Sequence, residues 1–136
     1  MGLIVVQAIA GLIAGVIAIG AGVYLLRAGR TADGPSALER GRVPIYTERG
    51  GARFDGLNWT MPFVRIAVYE DSVAISCATH EILLRKGDVT GIERERHLWS
   101  QGLRVHHVRP ELPKSLLLWP RHTARLEAAL RASLLA

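Results

Sequence analysis

The side chains with chemistry to offer are five histidines, one cysteine and a few closely spaced carboxylates. His106 and His107 adjoin in LRVHHV, where Leu103, Val105 and His107 alternate against Arg104, His106 and Val108, which predicts a strand. Neighbouring strand residues point to opposite faces, so these two cannot chelate one ion together. His80, His97 and His122 fall on separate elements, without H-x-x-x-H or H-E-x-x-H spacing, and no metal site is expected. Cys77 is the single cysteine, which rules out an intrachain disulfide or a Cys-rich zinc site and fits a reducing compartment. Its setting in VAISCA predicts a small, buried strand residue. There is no G-x-S-x-G elbow, and the GlyArgThr and GlyGly pieces lack the lysine and strand–turn–helix context of a phosphate loop. Glu93 and Glu95 share a strand face but alternate with Arg94 and Arg96, as a solvated strand end does. The expectation is a chain that is not an enzyme, with no catalytic, cofactor-binding or metal-binding residues.

The elements that position these residues begin with Leu3–Leu26, LIVVQAIAGLIAGVIAIGAGVYLL, which has no charge, no proline and one strongly polar side chain, Gln7. As a helix it reaches about 36 Å at ~1.5 Å per residue, enough for a hydrocarbon core of roughly 30 Å, so 3–26 is expected to be a transmembrane helix. No Lys or Arg precedes it and it is longer than a signal-peptide core, which favours an uncleaved anchor. Arg27, Arg30, Arg40 and Arg42 flank it on the C-terminal side, and Tyr24 sits near that end. The positive-inside rule then places the N-terminus outside and the rest in the cytoplasm, as a single-pass inner (plasma) membrane protein. Gly11 and Gly15 form a GxxxG pair, and Ala10, Ala14, Ala18 and Gly22 repeat every four residues. A helix-packing face of Gly11, Gly15, Ala18 and Gly22 would let two copies approach, giving a homodimer through the membrane helix.

Residues 27–50 read as a juxtamembrane linker, TADGPSALERGRVP at its centre, with one helical turn at Ser36–Arg40 and an edge strand at Val43–Tyr46. Residues 48–58 supply two turn signals around Phe54. The β-rich domain, 51–136, alternates from Phe63 to Tyr69, with Val64, Ile66 and Val68 on one face and Phe63, Arg65, Ala67 and Tyr69 on the other. Glu70–Ser72 predicts a hairpin turn into VAISCA, and Gly87–Asp88 a second one between EILLRK and VTGIERE. LRVHHV and SLLLW follow as strands. After Pro120 the period changes, and Leu126, Ala129, Leu130, Ser133 and Leu134 fall at helical spacing. Arg and Lys are interleaved with acids from Arg65 onward, so the net charge of +5 does not suggest nucleic-acid binding.

The succession PFVRIAVYEDSVAIS, EILLRKGDVTGIERE, GLRVHHV, SLLLWP and RLEAALRA resembles a bacterial pleckstrin-homology-like (PH-like) domain carried on a membrane anchor. The resemblance implies a mainly-β fold: a partly open barrel of antiparallel strands in two packed sheets, one end capped by a C-terminal α-helix. Eukaryotic PH domains can bind phosphoinositide headgroups through basic residues in the first hairpin loop; here that loop, Glu70–Ser72, is acidic, which speaks against such a site. The expected function is a membrane-anchored module for protein interaction or assembly, partner unnamed. The alternative is an anionic-lipid sensor, with Arg85, Lys86 and Trp99 as lipid or partner contacts.

Overall fold

The structure, a computed structural model, describes residues 2–33, 35–54, 57–77, 80–96, 98 and 100–136. Within the first helix it describes the side chains of Ile9, residues 11–24 and Leu26. That helix, α1, runs over Gly2–Asp33. Nothing in this stretch breaks a helix until Pro35, which removes an N–H donor and restricts the residue before it. Among the described residues no helix is long and apolar enough to cross a membrane. The expected span 3–26 lies within this helix.

A seven-stranded antiparallel sheet forms the body: β1 (Tyr46–Phe54), β2 (Leu57–Val68), β3 (Ser72–Cys77), β4 (His80–Arg85), β5 (Val89–Arg96), β6 (Gln101–His107) and β7 (Ser115–Pro120), in the order β4-β3-β2-β1-β7-β6-β5. The consecutive strands β4 and β5 lie at opposite edges, yet only the 3₁₀ turn Lys86–Asp88 joins them. The sheet is therefore curled into a half-barrel, and helix α2 (Thr123–Leu134) caps it. This fits the barrel-and-helix part of the PH-like expectation, as one continuous sheet where two were expected.

Two local expectations change. The predicted edge strand at Val43–Tyr46 gives way to β1, a central strand that starts at Tyr46, continues through the expected turns and pairs with both β2 and β7. The Gly87–Asp88 hairpin is a corner: β4 pairs with β3, and β5 with β6. Lys86 N–H donates to Asp71 O at 2.7 Å and Val108 N–H to Asp88 O at 2.9 Å, drawing the two strand ends toward different neighbours.

Strand period decides the core. Val64, Ile66 and Val68 of β2, Val73, Ile75 and Cys77 of β3, Leu103 and Val105 of β6, and Leu116 and Leu118 of β7 point inward against Leu126, Leu130 and Leu134 of α2. The β1–β2 register jumps from Gly50↔Val64 to Ala52↔Trp59, so 60–63 bulge outward and Pro62 sits where no ladder bond is required. The outer face is covered too. Ala67, Ala74 and Leu83 face one another across β2, β3 and β4 and form a second cluster with Tyr69. Ser76, opposite Arg65 on that face, is also buried, and α1 lies beside β2 and β3.

Candidate functional site

The outer cluster sits beneath the chain between α1 and β1. Ser36–Ala–Leu–Glu39 is a capping-box sequence, and Ala37–Glu39 folds as a 3₁₀ turn. The Ser36 N–H donates to Glu39 Oε2 at 2.7 Å, which bends the carboxylate back over the turn. Glu39 is only 2 % exposed. The Tyr69 hydroxyl donates to its Oε1 at 2.9 Å, and Arg65 Nε lies 3.2 Å from each carboxylate oxygen. Burial first, then Glu39, pushes the Tyr69 phenol up to about 12. Arg42 stacks 4.3 Å from the Tyr69 ring centroid and pairs with Asp71, while Ile45 N–H donates to Val68 O. Glu39 was not singled out among the expected site residues, although the S-x-x-E spacing marks the turn it closes.

A second buried carboxylate fastens the other helix. Glu48 Oε2 accepts from the Tyr46 hydroxyl at 3.2 Å and from the backbone N–H of His122, just before α2, at 3.1 Å. Its other oxygen is buried without a hydrogen-bond partner. On the inner side of α2, Ser133 Oγ donates to Tyr69 O.

The expected contact residues divide. Arg85 and Lys86 are exposed, at the β4–β5 corner. Arg85 borders an open depression of about 450 Å³ whose lining balances Arg85 and Arg109 against Glu81 and Asp88. The Arg85 backbone N–H and then Arg109 hold the Asp88 carboxyl below its usual range. Trp99 lies outside the described residues, as do the side chains of Arg27, Arg30 and Trp59. Gly11, Gly15, Ala18 and Gly22 are on the surface of α1, and a β-carbon at any of these three glycines would meet nothing within 4 Å.

Among the described residues the reactive types do not converge. His106 Nε2 faces Glu93 Oε2 at 3.3 Å, and His107 Nδ1 accepts the Arg109 N–H at 3.1 Å. Glu95 pairs with Arg104, so the two carboxylates on one face serve different partners. Among the described residues no three His, Cys, Asp or Glu gather as a metal set would. Cys77 is wholly buried, and burial pushes its thiol up to about 12. No known protein family, curated protein or solved structure matches this chain.

Proposed function

We propose that this chain is a single-pass, membrane-anchored PH-like module that mediates protein interaction or assembly at the cytoplasmic face of the inner membrane, without catalysing a reaction. The observation that carries the reading is the surface of α1. Leu12, Ile13, Val16, Ile17, Ile19, Val23 and Leu26 are all exposed, and Gly11, Ala14, Gly15, Ala18, Ala21 and Gly22 fill the remaining arc. A surface helix of a globular protein has an apolar stripe and a polar face; among its described side chains this one has no polar face to offer water. Hydrocarbon on the bulky side and a second helix on the small-residue side would satisfy it. The arginines after Leu26 set the orientation, N-terminus out. The barrel supports a binding role through its shape and its mixed, self-paired surface charge. Lipid sensing is the weaker reading, because the acids beside Arg85 offset it.

Alkaline carbonate extraction of membranes from cells expressing the full chain tests the anchor. Retention in the pellet is expected, together with labelling by an impermeant maleimide at Gly2→Cys and none at Ser100→Cys. Release into the supernatant overturns the anchor, and the reverse labelling overturns the orientation.

A further inference from the structure

We propose that residues 35–42 act as a clasp that locks α1 to the outer face of the barrel, so that helix and sheet form one rigid unit instead of two bodies on a flexible tether. This deepens the anchored-module reading by fixing which way the barrel faces, but it depends on contacts between residues 36–42 and the sheet and not on a bilayer.

Composition alone argues the other way, since TADGPSALERGRVP reads as a linker. Three observations reverse that. First, a surface linker has no reason to bury a carboxylate, yet Glu39 is 2 % exposed and takes donors from three separate places: the Ser36 backbone, Arg65 on β2 and the Tyr69 hydroxyl. An acidic group desolvated this far stays in place only while those donors are aligned, which makes the arrangement all-or-none. Second, the segment is fastened again three residues on. Arg42 N–H donates to Glu39 O at 3.1 Å, and its guanidinium is held between Asp71 and the Tyr69 ring. Third, the sheet is shaped to receive it. Small Ala67 and Ala74 lie adjacent on the outer face, Tyr69 is 2 % exposed, and Leu38 borders the same depression as Leu83. Those outward residues are buried in a direction where a PH-like sheet would otherwise meet solvent.

A buried ion pair adds little net stability but punishes misplacement, so its use here is positional. Lifting of residues 36–42 from the barrel would separate Glu39 from Arg65 and Tyr69 together.

The test uses the full chain in detergent micelles, with spin labels at Leu26→Cys on α1 and Thr90→Cys on β5 in a Cys77→Ala background. A single narrow distance distribution is expected, broadening about twofold in Glu39→Ala as the helix reorients. Amide exchange is followed in parallel. The Glu39 and Arg42 amides should lose protection by about tenfold or more in the variant, while those of Ile66 and Val105 keep theirs. Tyr69→Phe, which removes one donor and keeps the ring, should give an intermediate broadening and reports on the clasp should Glu39→Ala unfold. A wild-type distribution already as broad as that of Glu39→Ala, or unprotected Glu39 and Arg42 amides in the wild type, overturns the clasp. Carbonate release of the protein with the narrow distribution intact would overturn the membrane anchor and leave the clasp standing.

Discussion

Three strand glycines give a graded test of how the half-barrel closes. At Gly50 of β1, a β-carbon would stand 2.7 Å from Trp119 O and 3.3 Å from Pro120 Cα, both backbone atoms of β7. Neither can swing aside, so Gly50→Ala must push β1 and β7 apart where Gly50 pairs with Pro120. Overpacking of this sort costs about 1–3 kcal/mol, and rigid obstacles on a central strand put it at roughly 2–3. At Gly102 of β6 the nearest atoms are Leu117 Cδ1 and Leu118 O, both at 3.1 Å. One of these is a side-chain end, and the cost falls to about 1 kcal/mol. At Gly91 of β5 the first contact is His106 Cδ2 at 3.7 Å, ordinary van der Waals distance. Alanine fits there and should gain about 0.5–1 kcal/mol by restricting the unfolded chain. At ~4–8 °C per kcal/mol for a domain of this size, Gly50→Ala should melt roughly 10–20 °C low and Gly91→Ala a few degrees high. Thermal scans of the full-length protein in detergent, followed by far-UV circular dichroism, read both. Equal melting of Gly50→Ala and Gly91→Ala would refute the close approach of β7 to β1.

Two further outcomes follow from the charges and the thiol. Arg94 first, and Arg131 after it, hold the Glu127 carboxyl below its ordinary value, and Arg131 also donates to Ile92 O at 2.7 Å, tying α2 to β5. Because the folded-state value is the lower one, this stabilisation is complete above the ordinary carboxylate range and is lost as pH falls through the depressed value. Arg94 is half exposed, so Glu127→Gln should cost only about 0.5–1 kcal/mol at neutral pH, fading in acid and in high salt, as measured by urea unfolding at a series of pH values. Cys77, with its thiol moved from 9.0 to about 12, holds about a thousandfold less thiolate at pH 8 than an ordinary cysteine. Native protein should leave Ellman's reagent uncoloured for hours and react at once in denaturant; rapid native reaction would contradict the buried setting.

What the sequence revealed and concealed has a physical pattern. Strands β2, β3, β6 and β7 and helix α2 were legible because one face of each is apolar and their periods differ. Strand β1, YTERGGARF, was not, although it lies at the centre of the sheet. Its inward positions are Tyr46, Glu48, Gly50 and Ala52, and each is what a tertiary neighbour requires: Glu48 receives the His122 N–H, and Gly50 makes way for Trp119. No local period records such demands. The corner at Lys86–Asp88 was misread for a related reason, since the turn chemistry is the same whether the flanking strands pair with each other or with β3 and β6. Once β1 is restored, Glu70–Ser72 is the second hairpin connection. The first, between β1 and β2, falls at 55–56, outside the described residues, so the acidity of Glu70–Ser72 does not count against a headgroup site in the way the sequence suggests.

Both buried carboxylates stand where a connection near a helix meets the sheet: Glu39 between the turn that follows α1 and the outer face of β2, Glu48 between β1 and the start of α2. Neither position maximises stability, since an apolar pair of similar volume would avoid the desolvation cost. What a carboxylate adds is direction. It accepts from donors at fixed angles, whereas apolar contacts tolerate sliding along a helix axis. The leucines of α2 would cap the half-barrel in several neighbouring registers; the His122 N–H on Glu48 and the Ser133 hydroxyl on Tyr69 O select one. Tyr69 serves both arrangements, its carbonyl accepting from α2 on one side and its hydroxyl donating to the clasp on the other. Displacement of α2 would therefore disturb the residue whose hydroxyl also holds Glu39.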